Sequence, residues 1–226
     1  MKKLFILLLL ILATTICHAQ NAYQIGTLPT VNLSKKLNNN WQLNFKTEFR
    51  QLFASGITNS NINNGYEYVH TDAAFITSKK VGLNNKIAGG FLLRFTQDEV
   101  VKRTLQQFTV VNSLDQFRLG HRFSSDQTFE KHNATRWRFR YRITLDLPLN
   151  GQTIDVKEWY LKISNEYLNN FQSNNYDLEI RATPNLGYVF KDNNKLEFGI
   201  EYRINNFINN TTRNRYWLTL NWYLVL

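Results

Sequence analysis

Bulky apolar and polar residues alternate one for one over long stretches of this chain, and a period of two restricts those stretches to extended strands. Between 41 and 53, Trp41, Leu43, Phe45, Thr47, Phe49 and Phe53 share one face, while Gln42, Asn44, Lys46, Glu48 and Arg50 share the other. Between 136 and 147, Trp137, Phe139, Tyr141, Ile143, Leu145 and Leu147 alternate with Arg136, Arg138, Arg140, Arg142 and Asp146. A helix would scatter these residues around its axis. The pattern recurs, less regularly, over 66–78, 86–97, 103–113, 116–127, 156–168, 176–190, 195–206 and 213–226. The breaks carry Asn38-Asn39-Asn40, Asn150-Gly151 and Asp192-Asn193-Asn194, which suit turns. No segment reads as a helix, and no Pro- or Gly-rich linker divides the chain.

The first residues have the layout of a secretory leader: Lys2 and Lys3, an apolar run over 4–12, then Cys17-His18-Ala19 before a cut that leaves Gln20 first. The run falls short of the roughly 20 apolar residues a membrane helix needs. The organisation expected is a cleaved leader over 1–19 and one barrel domain over 20–226. Cys17 is the only cysteine, and Ile16 before it does not fit a lipoprotein cut. Loss of the leader leaves no thiol for a disulfide, a metal or a nucleophile. The whole chain carries a formal charge of +10, about +8 without the leader. Such a surplus suits nucleic acid, but the leader points to another compartment and the arginines are spread over many segments, so no nucleic-acid partner is expected.

Alternation by itself also fits a soluble barrel or sandwich. Four features favour a membrane. The strands reach the 9–11 residues that cross a bilayer at barrel tilt, longer than the five or six usual in soluble proteins. The apolar faces are large and aromatic, with tryptophan near strand ends. The polar faces carry Arg and Glu at mid-strand, as a hydrated lumen allows. Finally, 213–226 is an amphipathic strand ending on Leu226, the kind of C-terminal signal that outer-membrane assembly machinery reads. The fold class expected is all-β, an antiparallel transmembrane β-barrel of ten or twelve strands in the outer membrane of a Gram-negative bacterium, with outer-membrane lipid and the assembly machinery as partners. Ten strands follow from the segments above. The stretch 28–37, with Pro29 near its start, is a weaker eleventh; it either stays outside the wall or is joined by a twelfth near Tyr23. Short periplasmic turns and longer outer loops place Trp41, Trp159 and Trp222 in a membrane girdle at the periplasmic rim and Trp137 at the outer rim. The breaks after Phe53, Gln97, Gln127, Leu168 and Asn206 are read as the longer ones, and that after Leu149 as short, though ambiguous.

These phases turn a set of charges inward, from Glu48, Arg50, Arg94, Arg118 and Arg122 through Arg138, Arg140, Arg142 and Asp146 to Glu179, Arg181, Glu201 and Arg203. Lys46, Asp72, Arg136, Glu158, Lys162, Glu166, Glu197 and Arg215 join them. Charges kept out of lipid pair across the lumen, and arginine suits forked pairs with carboxylates. The surplus of basic residues favours anions if the lumen is open; small barrels are usually filled by side chains.

The Ala19-Gln20 leader end, the strand from Trp41 to Arg50, the Arg136 to Arg142 strand and the amphipathic C-terminus resemble the uncharacterised family catalogued as domain of unknown function 2490, found largely in Bacteroidota. The resemblance implies an outer-membrane barrel over nearly all of 20–226 and brings no catalytic residues. The function expected is a non-enzymatic envelope barrel, either structural or a narrow, porin-like, anion-favouring pore. Two alternatives are an outer-membrane enzyme with a rim active site and a soluble periplasmic binding barrel. Catalysis would need a Ser–His–carboxylate or similar set at one rim. His70 beside Asp72, with Asp98, Glu99 and Asp126 in reach, is the one candidate; His121 shares an apolar phase and His132 lies in a loop. No cofactor and no metal is expected, since the histidines lack ligand spacing. The oligomeric state stays open.

Overall fold

The computed structural model describes residues 22–57, 62–206, 208 and 212–226; the proposed leader over 1–19 lies outside them. Among the described residues every regular element is a strand: β1 (Ala22–Lys36), β2 (Trp41–Ile57), β3 (Asn63–Lys80), β4 (Asn85–Phe95), β5 (Val100–Ser113), β6 (Arg118–Phe129), β7 (Arg136–Pro148), β8 (Trp159–Gln172), β9 (Asn175–Lys191), β10 (Asn194–Asn205) and β11 (Arg213–Val225). Each pairs with its sequence neighbours, and β1 meets β11 to close a barrel. Closure satisfies the backbone of both edge strands, which an open sheet leaves bare.

The wall has eleven strands, where ten or twelve are expected from the sequence. With neighbours antiparallel all round, an odd number brings first and last strand together pointing the same way. β1 and β11 accordingly pair in parallel from Ala22 with Arg213 to Ser34 with Val225. The stretch that reads as weak or external is therefore part of the wall, and it begins six residues earlier, at Ala22. Its pattern is faint because its inner face is nearly uncharged: Leu28 is buried against Leu52 and Trp217. Pro29 sits in the middle of β1, not near its start. Proline has no N–H to donate, and the β1–β2 ladder skips Leu28 and Pro29 while keeping register on both sides.

The alternation resolves as the sequence requires. Phe49 and Phe139 are 38% and 49% exposed on the outer face, while Glu48, Arg50, Arg138 and Arg140 line the interior. Outer aromatic rows follow the register, with Phe45, Phe75 and Phe91 adjacent on β2, β3 and β4 and ring centroids 4.8 and 5.3 Å apart. Trp41, Trp159 and Trp222 stand outward at one end and Trp137 toward the other. At the Asn38-Asn39-Asn40 turn, Asn39 and Asn40 take φ of 57° and 64°, a left-handed conformation that asparagine tolerates. Gly90 matters for space: a Cβ there would lie 2.2 Å from the Phe75 carbonyl oxygen.

The loop asymmetry is less than expected. β8 and β9 extend until only residues 173–174 separate them, and β2 and β3 run on to Ile57 and back from Asn63. The longest connection, 149–158, lies at the end where short turns are expected. Glu158, expected inside, is in that connection and accepts Asn150 Nδ2 at 3.0 Å and the Asp155 amide at 3.3 Å.

The parallel seam makes a direct prediction. Leu33 and Leu224 are register partners. In a chain with Cys17 replaced by serine, Leu33→Cys with Leu224→Cys should form a disulfide on mild oxidation, seen as a mobility change on unreduced gels. A control offset by six residues, Leu33→Cys with Leu218→Cys, should not, because Leu218 is the register partner of Thr27. Equal or absent cross-linking in both would contradict parallel closure.

Candidate functional site

The barrel interior is one charged cavity, built because inward positions alternate with outward ones along every strand. Within it, two buried carboxylates act as hubs. Asp126 of β6 is fully buried; it accepts Arg138 Nε at 2.6 Å, and Arg140 and Arg103 lie 3.0 and 3.6 Å away. Glu166 of β8 is 1% exposed. Arg142 donates to it at 2.9 Å, and Arg181, Arg122 and Arg140 stand at 3.5, 3.6 and 4.0 Å. Arg140 thus bridges the two hubs.

Further pairs complete the belt. Arg94 grips Asp72 with a fork, Nε to Oδ1 and Nη2 to Oδ2, each 2.7 Å. Glu48 accepts Lys46 at 2.9 Å and Arg50 at 3.1 Å. Arg181 donates to Glu179 at 2.5 Å, Arg203 to Glu201, and Asn205 to Glu179. The guanidinium carbons of Arg50 and Arg203 lie 5.0 and 5.8 Å from the ring centre of Trp217, which is 1% exposed. Nearer the 149–158 end, Arg118 binds Asp146 at 2.6 Å. There Glu197 accepts Tyr160 Oη at 2.7 Å, Lys162 at 2.9 Å and Tyr223 Oη at 3.1 Å. Arg136 reaches Glu130 at 3.1 Å near the opposite rim.

Every residue of the expected inward set other than Glu158 therefore faces the lumen. Several participants are missed by the sequence reading, among them Arg103, Asp126 and Tyr160. Arg103 and Leu105 point inward on β5 while Thr104 and Gln106 point outward, so polarity gives that strand no clear phase. Asp126 is expected at the rim near His70, although its parity with Arg118 and Arg122 puts it on their face and was available as a signal. Tyr160, 2% exposed, is indistinguishable by type from the outward tyrosines.

The histidines do not assemble. His70 Nε2 is 3.8 Å from Asp72 Oδ1, but His70 is 4% exposed and both Asp72 oxygens are engaged by Arg94. His121 faces outward, its Nδ1 2.9 Å from Tyr141 Oη, and His132 is exposed in the β6–β7 loop. Among the described residues no group of three or more His, Cys, Asp and Glu is placed to hold a metal.

The remaining space is a cavity of about 1170 Å³. Its lining runs from Arg136, Gln172 and Asn206 near one rim to Gln42, Lys86 and Val111 near the other, and basic side chains outnumber acidic ones about two to one.

The model of a protein family of unknown function, DUF2490, matches residues 25–217. No curated protein and no solved structure matches the chain.

Removing a hub tests the belt. Stripping one partner from a buried ion pair costs about 3–5 kcal/mol because the other charge is left unmatched. Glu166→Leu, which leaves four arginines around an apolar side chain, should lower barrel stability by about that amount in urea titrations of the folded protein in micelles. A change under about 1 kcal/mol, the size typical of an exposed pair, would show the hub to be hydrated and weakly coupled.

Proposed function

The chain belongs to the DUF2490 family of unknown function, and from that premise we propose a non-enzymatic outer-membrane barrel whose narrow, basic lumen lets small anions through. The observation that carries this reading is the single cavity lined from rim to rim with about twice as many basic as acidic side chains. Fixed positive charge along a low-dielectric wall concentrates anions and excludes cations.

The exterior supports the membrane part. Phe75, Phe91, Phe123, Phe198 and Leu220 are 44–56% exposed on the outer face. Soluble monomers rarely leave so continuous an apolar band in water, which weighs against a soluble binding barrel. The outward tryptophans at both ends sit where aromatic girdles meet the headgroup region. In this reading residues 1–19 are the export leader, and the amphipathic β11 is the segment handed to the assembly machinery. The same geometry weighs against rim catalysis, since His70 is sealed from solvent and its carboxylate neighbour is held by Arg94.

Planar-bilayer recording of the refolded barrel under a potassium chloride gradient tests the conduit. Small, discrete conductance steps are expected, with a reversal potential on the chloride side. A cation-side reversal potential, or no current above the bare bilayer with protein verified as inserted, would contradict it.

A further inference from the structure

One row of the lumen is charged far out of balance. Reading across consecutive strands by register, Arg122 pairs with Arg142, Arg142 with Glu166, Glu166 with Arg181, Arg181 with Arg203 and Arg203 with Arg215. A single carboxylate thus interrupts five arginines that stand directly opposite one another from β6 to β11. Like charges facing across a strand pair are destabilising. Glu179 and Glu201 relieve Arg181 and Arg203 from neighbouring positions.

The β6–β7 end has no such relief. Among the described residues the Arg122 side chain has no hydrogen-bond partner, its nearest carboxylate oxygen is Glu166 Oε1 at 3.6 Å, and it is 29% exposed to the cavity. Arg142, directly across from it, spends one Nη2 on Glu166 and is 28% exposed. The Nε atoms of both are buried without a partner. Two adjacent arginines, sharing one carboxylate with Arg140 and Arg181, keep 29% and 28% of their side chains open and line the same cavity.

We propose that Arg122 and Arg142 form a discrete lumenal site for a multivalent oxyanion of the phosphate class. A tetrahedral oxyanion offers enough oxygens to engage two planar donor forks at once, and its charge offsets what Glu166 leaves unmatched. A carboxylate monoanion supplies only one such face. Lysine at these positions would give charge without the fork. The site rests on the conduit reading for its access route, through the cavity that both arginines line, and it turns a general preference for anions into one stop along the path.

The test is calorimetric titration of the folded full-length chain in micelles, with inorganic pyrophosphate or orthophosphate against chloride at constant ionic strength. One saturable site per barrel is expected, tighter for pyrophosphate. Arg122→Gln should weaken it tenfold or more and Arg122→Lys by less. Lys46→Gln, which removes one lumenal charge on β2, should change it less than twofold. Heat-modifiable migration confirms that each variant is folded before it is titrated. No saturable binding to the wild-type barrel, or equal losses in Arg122→Gln and Lys46→Gln, would overturn the site. Because titration needs no current, a barrel that binds pyrophosphate but does not conduct fails only as a conduit, and one that conducts anions without the site fails only here.

Discussion

An arginine beside a carboxylate, shut inside a closed wall, is the interaction on which this fold depends. A barrel strand that turns its apolar face outward points its other face into the lumen, and in most strands of this sequence that face is charged. Isolated charges there would carry a desolvation penalty of several kcal/mol each. Asp126 and Glu166 reduce it by gathering arginines from β5, β6, β7 and β9. Each hub spans several strands, so the side-chain network also fixes register, which the outer apolar rows alone leave free to slip in steps of two.

The seam departs from this rule and shows what replaces it. Where β1 meets β2 and β11, the inner surface is Leu28, Leu52 and Trp217, with Val69 packed against them, and the closest charges are the arginines over the Trp217 ring. A Cβ on Gly26 would lie 2.7 Å from Trp217 Cζ3, so glycine there is what lets the indole lie against the wall. Parallel pairing, the missing N–H of Pro29 and an apolar inner patch coincide on one strand. The interior is therefore ionic around most of the circumference and uncharged at the closure, with an apolar patch at Leu28, Leu52 and Trp217.

Much of this is legible in the residues because a period of two is unambiguous where one face is aromatic and the other charged. β2 and β7 carry that contrast, and their starts and facing follow directly, although β2 runs on to Ile57, past the Phe53 where its pattern ends. β1 does not: its inward Leu28, Thr30, Asn32 and Ser34 are uncharged, so neither its membership of the wall nor an odd strand count can be read from alternation. β5 fails for the opposite reason, with Leu105 inside and Gln106 outside, hydrogen-bonded to Gln127. The identity of the hubs depends on tertiary placement. Asp126 and Glu166 look no different in sequence from Glu158, which ends up in a loop because β8 starts one residue later. The tryptophans near strand ends are readable as outward, whereas nothing in the residues shows that Trp217 is buried with two arginines over its ring.

The most direct measurement is depth-dependent quenching of a fluorophore placed at Phe139→Cys or Arg140→Cys, adjacent residues of β7 with opposite facing, in a cysteine-free barrel reconstituted in bilayers. The account predicts that a lipid-borne bromine quencher dims the label at 139 and leaves that at 140 little changed, while a small water-soluble quencher anion does the reverse. Equal quenching at both positions, or lipid quenching at 140 alone, would contradict the facing on which the barrel, its charged interior and its proposed role all rest.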